Sequence, residues 1–362
     1  MVAAASQWIS ALDREQRELA LWGAPGTDAE PERRSWFYTP TDHGGLPLSS
    51  QSALQQRLVM RLVATGLSPV GFDLVATILG TENILDRLEG FSSEFDTPRG
   101  RDPSRYYLRV FGDPTASNTW GWRFGGHHVS LNYLIHDGKV QATTPRFLGL
   151  DPATTRLPGG ADLAPLSGFN EAARRLIGSL DLKSLRTATI LDRAPSDIVL
   201  GNRPSVQEGA TMMRLERVFR RRPHDTELID RLRDGGAALN AKTGLTADDH
   251  QRISVTAEPK GVSGAALDEA QRRHLSALMA AYQEPLPQLL RPTWRLDDLH
   301  FAWAGPADVC APHYYRIQGD GFLIEWDNTS RDANHAHGVV RHAANDFGAD
   351  VLGNHLSAWH TD

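Results

Sequence analysis

At 362 residues the chain exceeds the roughly 250 to 300 residues at which a single core usually stops growing, so it fills one large domain or two ordinary ones. Its 40% hydrophobic and 23% charged residues, with nine Trp, exclude a disordered or fibrous chain. The net charge of -6 excludes a general attraction to nucleic acid or anionic membrane, and a single cysteine, Cys310, excludes an internal disulfide, a cysteine-rich zinc site and a CxxC redox motif.

Trp8, Ile9, Leu12, Leu19 and Leu21 recur at helical spacing and predict an amphipathic helix over residues 3–22. Asp13, Glu15 and Glu18 interrupt those positions, which argues against a signal sequence or a membrane span; a cytoplasmic protein is the expectation. The Pro- and Gly-rich stretch from Gly23 to Ser49 reads as a long ordered loop around Ser35-Trp36-Phe37-Tyr38. Ser49 or Ser50 caps a helix reaching about Thr65, and Ser68-Pro69 supplies an N-cap and an N1 proline for another reaching about Leu88. Residues 1–90 are therefore helical in the main.

A β block follows over 105–147. Tyr106 to Phe111 is one strand, and Trp120 to Ile135 is an aromatic and β-branched run. Asp137-Gly138 predicts a type I′ turn that sets Ile135 against Val140 and Tyr133 against Ala142. One face of this hairpin then carries Val129, Leu131, Tyr133 and Ile135; the other carries His128, Ser130 and Asn132. The middle, 168–286, is helical by period, with segments near 169–190, 225–240 and 264–284. Its run Arg217, Arg220, Arg221 and Arg222 reads as a solvated basic face.

A second β block spans 297–341. Pairing outward from Asp320-Gly321 sets Ile317 against Ile324, Arg316 against Glu325 and Tyr315 against Trp326. The expected fold is α+β: a mixed, largely antiparallel sheet built from the N-terminal-half and C-terminal β blocks and covered by helices, with one face of each hairpin wet. A single domain over 1–362 is the economical arrangement. A two-domain alternative divides the chain around Leu157 to Gly168, where nothing resembles a flexible linker.

His335-Ala336-His337 carries the sharpest chemical signal. On a strand, residues two apart share a face at about 6.5 Å, which lets two imidazoles converge on one ion, and neutral imidazole suits Zn, Fe or Cu. His128 or His127 from the first hairpin supplies a third ligand. Adjacent strand residues face opposite ways, so only one of them joins, and the register favours His128 on the polar face. Tyr314, Arg316, Glu325 and Asp327 share the polar face of the second hairpin as a phenol donor, an anion-binding guanidinium and two acids or bases. Two blander readings compete. Fourteen histidines produce an HxH by chance, and Arg316 opposite Glu325 is a cross-strand ion pair worth about 0.2 to 1 kcal/mol. HExxH, the P-loop pattern, an EF-hand loop, GxSxG and the zinc-deaminase signature are absent, which removes the commonest metalloprotease, nucleotide-hydrolase, serine-hydrolase and deaminase assignments.

Several strings act together: Trp120 to Asn132, His300-Phe301-Ala302-Trp303-Ala304-Gly305, His313 to Gly319, Glu325-Trp326-Asp327-Asn328-Thr329 and Asn334-His335-Ala336-His337. With Tyr38-Thr39-Pro40, His43-Gly44-Gly45-Leu46 and Asp346-Phe347-Gly348, they resemble a bacterial and fungal family catalogued as domain of unknown function 3500, over nearly the whole chain. Trp326 stands where that resemblance leads one to expect Tyr, a change that keeps an aromatic on the core face. The resemblance implies membership and no particular reaction.

The leading expectation is a metal-dependent enzyme in which His128, His335 and His337, with His127 as the substitute, hold a divalent Zn, Fe or Cu ion. Arg316 and Tyr314 orient a small anionic or carbonyl-bearing substrate, and Glu325 or Asp327 serves as base or ligand; hydrolysis by metal-activated water is the simplest chemistry. The alternatives are an Fe- or Cu-dependent oxygenase or other oxidoreductase, and a metal-free small-molecule binding protein. A small-molecule substrate is the expected partner, with no nucleic acid and no membrane.

Overall fold

The computed structural model describes residues 1–95, 97–220, 226–308, 310–319 and 321–349. Asp320 of the expected turn and Arg221 and Arg222 of the arginine run lie outside the described residues. The fold is α+β, with mixed and mostly antiparallel strand pairing. The chain divides into two compact units: Met1–Phe147 with Pro285–Arg291 and the described chain from His342 on, and Leu148–Glu284 with Pro292–Arg341. No helix among the described residues is long and apolar enough to cross a membrane.

In the first unit the helix predicted over 3–22 forms as two, Val2–Ser10 and Arg14–Ala20, because Asp13 caps the second: its side chain accepts the Gln16 N–H while the Gln16 side chain bonds back. Ala53–Gly66 starts at a like capping box on Ser52 and Gln55, two or three residues past the expected Ser50 or Ser49. Pro69–Leu88 runs as expected, capped by Ser68. Strand Tyr107–Phe111 pairs antiparallel with Thr119–Gly126, which pairs with Val129–His136. Asp137 and Gly138 are both left-handed, as a type I′ turn demands, and Ile135 faces Val140. One residue further the register slips at a bulge, so Ala142 faces Leu134 rather than Tyr133. The sheet meets the helices through Trp122 stacked on Tyr133 at 4.2 Å, whose hydroxyl donates to the carbonyl of Gly66; a Cβ on Gly66 would fall 2.7 Å from the Tyr133 ring.

In the second unit His300–Ala304, His313–Gly319 and Phe322–Asn328 form an antiparallel meander, with Ala336–His342 beside Phe322–Asn328. The pairing of Arg316 with Glu325, Tyr315 with Trp326 and Ile317 with Ile324 is as the sequence predicts. Helices Ser167–Ser179 and Glu269–Gln283 cover the apolar face: Phe169 stacks on Trp326, and Tyr282 shares a hydroxyl hydrogen bond of 2.7 Å with Tyr315. The helix predicted over 169–190 is interrupted because Asp181 caps a second helix, Leu182–Ala188.

The second face of this sheet is not wet, which corrects the two-faced design inferred from alternation. Tyr314 and Leu323 pack there against Val199, Leu200, Ile253 and Val255, all buried. Loops from the helical middle cover polar strand residues, and local alternation cannot reveal such a lid.

Candidate metal centre

The buried polar face gives three of the expected catalytic residues other tasks. Glu325 is fully buried and accepts the Val199 N–H at 2.7 Å, the Leu200 N–H at 3.2 Å and the Tyr314 hydroxyl at 2.8 Å. Burial holds the Tyr314 phenol far above its usual pKa, so it remains a donor. Arg316 donates to the carbonyls of Ile253 at 2.8 Å and Ser254 at 3.3 Å, where helix Ala247–Ile253 ends and carbonyls lack partners. These contacts correct the expected open pocket of Tyr314, Arg316, Glu325 and Asp327: the first three tie loops to the sheet.

Asp327, one strand position along the same face from Glu325, differs. It is buried, and Thr329 donates its hydroxyl to Oδ1. Burial, followed by the nearby charge of Asp197, pushes its carboxyl up to about 8. Facing it, His337 Nδ1 lies 2.8 Å from Asp197 Oδ1, which also accepts the N–H of Ile198 at 2.7 Å. Burial lowers the His337 pKa, but Asp197, then Asp327 and Asp151, outweigh it and hold the imidazole above its ordinary value. One donor atom from each of Asp197, Asp327 and His337 lies within 4.8 Å of the others.

His335 stands just before the strand Ala336–His342, and its ring meets that of His337 edge-on with centroids 4.5 Å apart. The HxH pair thus has its imidazoles side by side. His335 Nδ1 is 2.9 Å from Ser330 Oγ and 3.7 Å from Asp151 Oδ2. Outer partners of this kind, a carboxylate for His337 and a hydroxyl for His335, fix imidazole tautomers at metal centres.

His127 and His128 lie in the first unit and are not strand residues. Gly126 pairs with Val129, so the two histidines are the central residues of a tight turn, and His128 has φ 66°. This corrects the continuous run from Trp120 to Ile135 and the opposed faces assigned to the pair: their rings stack at 3.7 Å. The turn is held from below. Tyr106 donates its hydroxyl to the His127 carbonyl, His128 N–H donates to the Tyr38 carbonyl at 2.9 Å, and a Cβ on Gly126 would sit 2.4 Å from the Tyr106 ring. Glu82 brings Oε1 to 2.7 Å from His127 Nδ1, and Glu82, His127 and His128 form a second group with donor atoms within 4.8 Å.

Sequence reasoning missed Asp197, Asp151 and Glu82. The first two sit in loops with no periodic signal, and Glu82 lies on a helix face where an acid reads as solvated; burial alone distinguishes it.

Fold and side chains together define an α+β protein with histidine and carboxylate groups able to hold a metal ion. The chain belongs to the family described as protein of unknown function (DUF3500), whose model matches residues 1–349. No curated protein and no solved structure matches it.

Proposed function

We propose that the protein is a metal-dependent enzyme whose second unit binds a divalent transition ion, Zn, Fe or Cu, through His337, Asp327 and Asp197. The observation that carries this reading is the close approach of two carboxylates and an imidazole around Asp327. Burying Asp327 beside the carboxylate of Asp197 without a cation is costly, and the cost shows as the raised Asp327 pKa. Ligand atoms at about 2.0 to 2.2 Å from one ion lie roughly 3 to 4 Å apart, a spacing compatible with the 4.8 Å limit within which this group falls.

An ion there would lower the pKa of bound water toward neutrality and polarise a carbonyl. The protein's own groups orient it: Asp197 aligns His337, Thr329 aligns Asp327, and Ser330 aligns His335. Hydrolysis of a small anionic or carbonyl-bearing substrate is the favoured chemistry. The second reading is an Fe- or Cu-dependent oxidoreductase, favoured by the adjacency of His335 and His337, because two histidines and one carboxylate also suit oxygen-activating iron. Elemental analysis of tag-free protein tests both. Zinc near one per chain supports hydrolysis, iron or copper with oxygen uptake supports oxidation, and a metal-free protein that takes up no added ion ends both.

A further inference from the structure

Arg316 is buried against backbone carbonyls, but another arginine stands beside the histidine pair. Arg331, Asp332 and Ala333 are successive left-handed residues with φ 50°, 55° and 60°. Each costs roughly 1 to 2 kcal/mol for an L-residue. Such a turn persists only where its surroundings impose it. Asn334 does so here: its carbonyl accepts the Ala153 N–H at 2.8 Å, and its side-chain oxygen accepts the Thr154 N–H at 2.7 Å. The strained turn brings the Arg331 side chain back so that Nε donates to Asp151 Oδ2 at 2.7 Å, the same oxygen that lies 3.7 Å from His335 Nδ1. Asp151 is buried, while the Arg331 side chain is 42% exposed.

Asn334 thus holds the turn, and the turn leaves the Arg331 guanidinium aimed through its Nε at the buried Asp151 while its side chain stays 42% exposed beside the histidine pair. We infer that Arg331 is the anion anchor of the site: a carboxylate or phosphate group of the substrate docks on its guanidinium while the reacting carbonyl or ester lies at the His337 centre. The inference rests on the metal reading and narrows its substrates to small molecules carrying an oxyanion.

Inorganic phosphate titrated by calorimetry into tag-free wild type, R331K and R331A, with metal content measured in parallel, tests it. R331A should bind phosphate at least about tenfold more weakly with metal per chain unchanged. R331K should lose several-fold, because an ammonium keeps the charge but not the planar fork; it carries the test if R331A does not fold. Equal affinity in all three proteins, or no phosphate binding by wild type, overturns the anchor and leaves the metal reading standing. A wild type that takes up no ion overturns the metal reading, and phosphate affinity that still falls in R331A then retains the anchor.

Discussion

His337 and Asp197 are joined at 2.8 Å through Nδ1 and Oδ1, and the partner behind them, Asp327, is a buried acid whose pKa rises to about 8. A hydrogen-bonded pair explains an imidazole and one carboxylate. It does not explain the second carboxylate, whose burial is unfavourable until a cation arrives.

His337→Ala and Asp327→Asn should each abolish stoichiometric metal binding, since each removes one of three protein ligands. Asp197→Asn should weaken it by at least about 10- to 100-fold, because Asp197 is the third ligand and its Oδ1 also orients His337. Metal content by mass spectrometry and competition with a chelator check this. Full occupancy in His337→Ala would remove the second unit as the site.

Metal-free stability should fall as pH rises from about 6.5 to 8.5. Asp327 titrates near 8 in the folded chain against 3.8 as a free carboxylate, and His337 is raised above 6.5. Both bind more protons folded than unfolded, so their contribution is present at low pH and lost as pH climbs through the folded values. The buried His43 and His313, lowered to about 3 and about 4, act oppositely but only below 6.5. Asp327→Asn should flatten the slope. With metal bound the trend reverses, because binding needs Asp327 ionised and His337 deprotonated, so the shift in Tm on adding zinc should grow from pH 6 to 8.

Glu325→Gln and Tyr314→Phe should leave metal content unchanged and lower stability by about 1 to 3 kcal/mol. Both residues belong to the strut that ties Val199 and Leu200 to the sheet. Arg316→Ala should cost at least as much, since the carbonyls of Ile253 and Ser254 lose their donor. Denaturant melts check this, and a stable Glu325→Gln protein with altered metal content would return Glu325 to the site.

The strand registers were legible because turn chemistry is local. Asp137-Gly138 dictates its own hairpin, and Ser68-Pro69 dictates where a helix starts. The turn at His127 and His128 was not legible: its two central residues include none of the Gly, Asn or Asp that mark a two-residue hairpin, and aromatic and β-branched residues on both sides read as one continuous strand. Asp327 and the HxH pair could be placed on strands, but Asp197 and Asp151 reach them from loops whose positions depend on tertiary packing. The buried polar face was not legible for the same reason, because its cover comes from residues such as Ser254 and Val199, 62 and 126 positions away from the strand residues they meet.

Glu82→Gln should leave metal stoichiometry intact, although Glu82, His127 and His128 also bring two imidazoles and a carboxylate together. The discriminating group is Arg101. Its Nη1 lies 3.5 Å and 3.4 Å from the two ring nitrogens of His127. A divalent ion about 5 Å from that guanidinium would meet about 7 kcal/mol of repulsion at an effective dielectric of 20, which Glu89, paired to Arg101 at 2.8 Å, offsets only in part. The Glu82–His127 contact is thus better suited to bracing the turn. Its loss should lower stability by about 1 to 3 kcal/mol while metal per chain stays at the wild-type value. A fall in metal content in Glu82→Gln, with His337→Ala unaffected, would move the metal centre to the first unit.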